Sequence, residues 1–255
     1  MSQAELFSQL HQQETPLLLG NSWDVTSAQA YQEAGYQAVA TSSAALANIL
    51  GYEDGEKIPF HLLHDMVLRM KQKITVPFSV DLERGYGRNE EQIVRNIEQL
   101  VEAGIAGVNL EDGLVRAEKL LQPISDFQRV ISAIAEKLNK KGLSIFINAR
   151  TDAFLFKVDK PLEESMKRVK AFEEAGANGV FVPLLSAEDD IRAVVESTSL
   201  PLNVLASSTL PNFARLAELG VKRVSLGSTV FRQLQRQMTA RIIEIKNSGS
   251  VVSLF

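Results

Sequence analysis

Two stretches decide the fold: Pro77-Phe78-Ser79-Val80-Asp81-Leu82-Glu83-Arg84-Gly85-Tyr86-Gly87, and its downstream echo Gly107-Val108-Asn109-Leu110-Glu111-Asp112-Gly113. Each is a short apolar run that ends in carboxylates and then a glycine. Side chains of a strand alternate between its two faces, so Asp81 and Glu83 share one face and Val80 and Leu82 the other. Asn109 and Glu111 separate in the same way from Val108 and Leu110. Two strands thus carry three acids toward one place. Like charges brought together call for a cation, and an all-oxygen ligand set points to a hard one such as magnesium.

Outward from these runs the chain repeats one punctuation. Glu33-Ala34-Gly35, Glu102-Ala103-Gly104, Glu174-Ala175-Gly176 and Glu218-Leu219-Gly220 each follow a helix-period segment and precede a β-rich run, which is where a C-capping glycine belongs. Strand-like runs fall at 17–20, 38–40, 76–82, 107–110, 143–149, 179–182, 200–205 and 221–226. Helices read at 25–34, 60–73, 90–103, 125–140, 162–175, 187–197, 211–219 and 229–246, with Asn89 and Ser186 as plausible N-caps. Strict β/α alternation implies a parallel sheet, and eight units close into a (β/α)8 TIM barrel, with a doubly wound open sheet as the competing arrangement. No linker rich in Pro, Gly or Ser divides residues 1–255, which read as one domain. The tail 247–255 is expected to fray or to pack on a neighbouring subunit.

Composition narrows the chemistry. The chain carries 27 Lys and Arg against 31 Asp and Glu, a net charge of −4, with no basic stripe for nucleic acid. No apolar run is long enough to span a membrane, and Met1-Ser2-Gln3-Ala4-Glu5 lacks the features of a signal peptide, so a cytoplasmic protein is expected. With no cysteine there is no disulfide, thiolate site or cysteine nucleophile. His11, His61 and His64 fall in or before helices, where packing or surface roles are expected rather than metal ligation. No lysine ends a strand, which disfavours Schiff-base chemistry.

In a barrel the chemistry sits where strands run into helices. Strand one ends in Asn21-Ser22-Trp23-Asp24, strand two in Thr41-Ser42-Ser43, and strand five in Asn148, Arg150 and Asp152, which share a face by parity. An arginine set among acids is costly unless it holds an anion, and its planar fork suits a carboxylate or phosphate. Simple neutralisation of those acids is the plainer reading of Arg150. Asp24 and Asp112 also read as helix caps, Ser42 and Ser43 as turn residues, and Tyr86 as either rim packing or a substrate contact.

At these residues the chain resembles the isocitrate lyase / phosphoenolpyruvate mutase superfamily. Asp81-Leu82-Glu83-Arg84-Gly85-Tyr86-Gly87 is similar to its Asp-x-Asp-x-Gly-Tyr-Gly metal motif, with Glu83 for the second aspartate. Glu111-Asp112 is similar to its Leu-Glu-Asp, and Asn148-Ala149-Arg150-Thr151-Asp152 to its Ala-Arg-x-[Asp/Glu]. Thr41-Ser42-Ser43 with Leu50-Gly51-Tyr52-Glu53-Asp54 resembles its 2-oxo-carboxylate segment. The resemblance implies Mg²⁺ near Asp81, with Glu83 and Glu111 holding its waters and Asp54 close by. It implies a substrate set of Trp23, Ser42, Ser43, Asp81, Arg150 and Asn203, with Arg150 and Glu111 as the catalytic pair. It further implies C–C or P–C bond cleavage beside a small 2-oxo acid or a phosphonopyruvate-like substrate, through a metal-stabilised enolate. A homo-oligomer, dimer or tetramer, with a swapped C-terminal helix is also implied. The loop Gly113-Leu114-Val115-Arg116-Ala117-Glu118-Lys119-Leu120 departs from the pattern, since it lacks the lyases' Cys and His. Arg116, Glu118 and Lys119 remain there as candidates for proton transfer, against the plainer reading of a solvated loop. A metal-enolate hydroxymethyltransferase or class II aldolase, and a non-catalytic 2-oxo-acid-binding barrel, are the competing functions.

Overall fold

The computed structural model describes residues 1–115 and 119–254. In chain order the strands are β1 (Leu17–Ser22), β2 (Val39–Thr41), β3 (Phe78–Asp81) and β4 (Gly107–Glu111), then a hairpin of β5 (Gly113–Val115) and β6 (Lys119–Leu121). β7 (Phe146–Arg150), β8 (Gly179–Val182), β9 (Leu202–Leu205) and β10 (Arg223–Ser225) complete the set. All except the hairpin pair in parallel and close a ring in the order β1-β10-β9-β8-β7-β4-β3-β2. The eight expected strands are the eight barrel strands. Closure leaves no edge, so apolar residues fill both faces: Val80, Leu82, Val108, Leu110, Ile147, Val180 and Val182 are buried between barrel and helices.

The helices are α1 (Gln3–Leu10), α2 (Val25–Glu33), α3 (Ser43–Leu50), α4 (Phe60–Lys71), α5 (Glu90–Glu102), α6 (Ile124–Lys140), α7 (Pro161–Glu174), α8 (Glu188–Glu196), α9 (Phe213–Glu218) and α10 (Thr229–Ser248). Eight match the expected helical segments, and two are additions. α1 starts at a capping box between Ser2 and Glu5, then buries Phe7 and Leu10 against Leu17, Leu19 and Phe146 at the N-terminal end of the barrel. His11 stacks on Phe146 at 4.3 Å, a packing role. α3 starts at Ser42, whose side chain accepts from the Ala45 N–H, and ends at Gly51 in the left-handed region. Its run of small apolar residues gives a weak periodic signal, so a strand-to-loop segment was the natural sequence reading.

The segment after β4 also departs from expectation. It folds back as the antiparallel hairpin β5–β6, with Gly113 opposite Leu121. Gly113 is obligatory, because a Cβ there would collide with the Asp152 carboxylate. Arg116 and Glu118 lie outside the described residues, as does the side chain of Lys119. Among the described residues no helix is long and apolar enough to cross a membrane. Of α10 only Phe231 is buried, while Leu234, Met238, Ile242 and Ile243 are exposed.

Candidate active site at the C-terminal mouth of the barrel

A cavity of about 210 Å³ opens where the strands end. Asn21 of β1, Ser42, Ser43 and Ala44 at the start of α3, Asp54, Asp81, Asn109 and Arg150 line one part of it. Leu155, Phe181, Pro183, Leu205, Ser225, Gly227, Ser228 and Arg232 line the rest. A larger cleft of about 770 Å³ runs outside the barrel between the starts of α5 and α6, and two of its arginines are engaged in the ion pairs Arg84–Glu56 and Arg129–Asp126. The smaller cavity is where the barrel strand ends converge, and it is the candidate site.

Asp81 ends β3, and its position is fixed three ways. Its N–H donates to Thr41 Oγ1 at 2.8 Å, while Oδ2 accepts from Ser43 Oγ at 2.7 Å and more weakly from the Ser43 N–H at 3.3 Å. Its second oxygen, Oδ1, is buried with no partner. A fixed carboxylate with one idle buried oxygen, beside a cavity, is what a cation or its water shell would complete.

Glu83 behaves differently. It holds a left-handed backbone, φ 49°, and its carboxylate is turned into the loop. One oxygen accepts from Tyr86 OH at 2.5 Å and the other from the Glu56 N–H at 2.6 Å. Burial pushes its pKa up to about 7, the Tyr86 hydrogen bond opposes this, and Asp81, Asp54 and Glu56 add to the rise. Glu56 is the keystone of this loop, accepting from the N–H groups of Arg84 (3.1 Å) and Tyr86 (2.6 Å) and pairing with the Arg84 guanidinium (2.8 Å). Its place in sequence, after an exposed turn, gives no hint of that. Tyr86 packs on the rim against Phe60 and bonds Glu83.

Arg150 ends β7 beside Glu111, its register partner on β4. NH1 meets Glu111 Oε2 at 2.9 Å and Nε meets Asp152 Oδ1 at 2.7 Å, with the guanidinium 5.6 Å from the Phe181 ring. Burial works against its charge, but Glu111 and Asp152 overcome that and raise its pKa. Burial drives Glu111 well above the usual carboxylate range, and Arg150 opposes the rise. Behind the strand, Asp112 accepts from the Asp152 N–H at 3.0 Å and pairs with Arg168 of α7 at 2.8 Å. Arg168 also bonds Gln122 O at 2.9 Å at the foot of the hairpin, and Glu164 at 2.7 Å. Asp112 is therefore an interior strut, a role its helix-cap reading did not anticipate.

The sequence brings Asp81, Glu83 and Glu111 to one cation; the structure gives each a different occupation. Among the described residues, no three acidic or imidazole side chains converge as direct ligands. Asp81 keeps a buried oxygen without a partner, Asp54 lines the same cavity, and Glu83 stands close enough to Glu111 to add to the rise in its pKa. Asp54 lies at the exposed rim, and its pKa is raised by the partial burial of its carboxyl and by Asp81. These residues fit a hydrated hard cation touched by Asp81, and do not fit a fully dehydrated one.

Ser42, Ser43, Asp81 and Arg150 come together as expected. Trp23 does not join them: it stacks edge-on against Phe231 of α10 at 5.1 Å and lines the grooves beside that helix. The indole finds an apolar partner in α10 and is not among the residues that line the cavity. Asn203 lies deeper, buried on β9; its Oδ1 accepts from Ser225 Oγ at 3.1 Å, and its Nδ2 has no partner. Arg232, one turn into α10, reaches the cavity edge and was not expected. Its position after Ser225-Leu226-Gly227-Ser228 is the signal, since that run is a strand end leading into a helix.

The sequence profile of the family described as phosphoenolpyruvate phosphomutase matches residues 7–246. An uncharacterized protein of Mycobacterium tuberculosis is 32% identical over 225 residues, covering 88% of this chain and 83% of that one. An oxaloacetate decarboxylase of Pseudomonas syringae pv. tomato is 29% identical over 208 residues, 78% of this chain and 70% of that protein. Among solved structures, one from Burkholderia cenocepacia J2315, described provisionally as a phosphonomutase, superposes with a TM-score of 0.88 at 35% identity, covering 94% of this chain and 98% of the other.

Proposed function

The chain belongs to the phosphoenolpyruvate phosphomutase family, within the isocitrate lyase / phosphoenolpyruvate mutase superfamily of enzymes, and from that premise we propose a magnesium-dependent decarboxylase of a small 2-oxo dicarboxylate such as oxaloacetate. The observation that carries the proposal is what lines the cavity. Its walls offer acids, hydroxyls, amides and two arginines, and among the described residues no His, Lys, Tyr or Cys. Retro-aldol cleavage starts by stripping a hydroxyl proton, and hydrolysis by deprotonating water, so both need a base held against the substrate, and the acids that line the cavity are Asp54 and Asp81, the second of them proposed for the metal. Decarboxylation needs none to start. The bond between C3 and its carboxylate breaks, the electron pair moves toward the 2-oxo group, CO₂ leaves, and C3 then takes a proton from water.

Asp81 would hold a magnesium ion, with Glu83, Glu111 and Asp54 nearby, and the ion when bound would supply Lewis acidity to the 2-oxo group. The chain's own residues do the rest. The Ser42 hydroxyl and the Ala44 N–H at the head of α3 present donors and the positive end of a helix to the 1-carboxylate, while Ser43, bonded to Asp81, keeps that carboxylate in place. Arg150, held rigid by Glu111 and Asp152, donates toward the oxygen that gains charge. Arg232 sits across the cavity to receive the second carboxylate. A phosphonate would suit the same two arginines, and the 35% identity to the Burkholderia structure favours P–C cleavage as the second reading.

Pyruvate release from oxaloacetate tests the proposal, measured with Mg²⁺ and with EDTA against an Asp81→Ala control that removes the background reaction. A rate equal to that of the control refutes decarboxylation, and turnover of phosphonopyruvate alone selects the second reading. The exposed Leu234, Met238, Ile242 and Ile243 on α10 further support a homo-oligomer assembled through that helix. Light scattering of Leu234→Glu/Met238→Glu tests it: a mass unchanged from that of the parent overturns this part.

A further inference from the structure

The largest fully buried side chain is Arg223, on β10, where a barrel interior ordinarily takes Val, Ile or Leu. Its guanidinium crosses the interior. NH2 donates to Asn109 Oδ1 at 3.2 Å on β4, the strand diametrically opposite, and Nε donates to Ser225 Oγ at 3.3 Å. Among the described residues it pairs with no carboxylate, and NH1 has no partner at all. Burial lowers its pKa to about 9, and Asp81 is the acid that pulls it back up, so it is charged at neutral pH. Asn109 and Ser225, the two groups it holds, both line the cavity.

A buried, unpaired charge costs stability, and a hydrophobe of similar size would cost less. What the charge faces is an excess of acid: Asp54, Asp81, Glu83, Glu111 and Asp152 act on one another across the mouth, with Arg150 as the cation among them. We infer that Arg223 is a positioning residue that acts through Asn109 and Ser225 as a fixed counter-charge beneath the cavity, biasing it toward the anionic ligand and against the cation. The inference rests on the metal and 2-oxo-acid reading above. It carries a signature no structural role would share: removing the charge moves the two affinities in opposite directions.

Arg223→Met leaves no new orphan, because Asn109 Oδ1 still accepts from Asn148 Nδ2 and Ser225 Oγ still donates to Asn203. Titration calorimetry with Mn²⁺ alone, then with oxalate at saturating Mn²⁺, is the experiment. Expected for Arg223→Met is tighter Mn²⁺ and weaker oxalate binding, each by about tenfold for loss of one unit charge at this range. Arg223→Lys is expected to keep both constants near those of the parent, and Arg223→Gln serves if the Met variant does not fold. Both affinities unchanged, or both weakened together, in a variant with the parent's melting temperature overturns the inference. A parent protein that binds no Mn²⁺ overturns the metal reading instead, and the inference with it.

Discussion

Glu111 and Asp112 are neighbours in sequence, each paired with an arginine at 2.9 Å and 2.8 Å, yet they belong to different machines. Glu111 meets Arg150, a wall of the open cavity, with 13% and 17% of the side chains exposed. Asp112 meets Arg168 in a wholly enclosed pair at 0% and 6%, one that also holds the hairpin foot and Asp152. An ion pair at a cavity can trade partners for ligand or water. An enclosed pair that loses one member strands a bare charge. Identical chemistry on successive residues thus divides into a contact at the open cavity and an enclosed structural one.

Substitutions that should separate the two run from the largest effect to the smallest. Arg168→Met should cost about 3–5 kcal/mol in urea unfolding, because Asp112 is left buried without its partner; a cost under about 1 kcal/mol would put this pair with its neighbour. Asp81→Ala should weaken Mg²⁺-dependent oxalate binding by more than about a hundredfold, equal to about 2.7 kcal/mol, with the fold intact by circular dichroism. Unchanged affinity would remove Asp81 from the site. Arg150→Lys should lose about tenfold in oxalate affinity while unfolding within about 1 kcal/mol of the parent, since an ammonium cannot serve Glu111 and Asp152 as a fork does.

The last effect is one of pH, spread over a range of solutions rather than read at one. Glu83 titrates near 7 when folded and near 4.5 when unfolded, so between those values the folded state holds the extra proton. That contribution is full below about pH 4.5 and is lost as the pH rises to about 7, at up to about 1.4 kcal/mol per pH unit. In EDTA, Glu83→Gln should flatten this slope in unfolding measured at pH 5, 6 and 7. A slope as steep as the parent's would place the proton elsewhere.

The barrel and the mouth were legible because both rest on local pattern: strand alternation, C-capping glycines and acids at strand ends. What escaped depends on distant partners. Asp112 acquires its role from Arg168, fifty-six residues away, and Arg223 from Asn109 across the barrel. Trp23 entered the substrate set through resemblance, and its contact with Phe231, far along the chain, could not be read from its own neighbourhood. α3 was missed because a helix of small residues carries little periodic contrast, and Glu56 because a turn glutamate shows its hydrogen bonds only once the loop has closed.

The stopper that α1 forms with Phe7 and Leu10 leaves this barrel a single doorway. Traffic is therefore two-way through one passage: whatever enters at Ser42 and Arg232 must clear the same threshold before the next molecule arrives. If the proposed decarboxylation holds, CO₂ escapes such a dead end more readily than a charged acid does, and departure of the residual acid, rather than bond breaking, is expected to set the pace of the cycle.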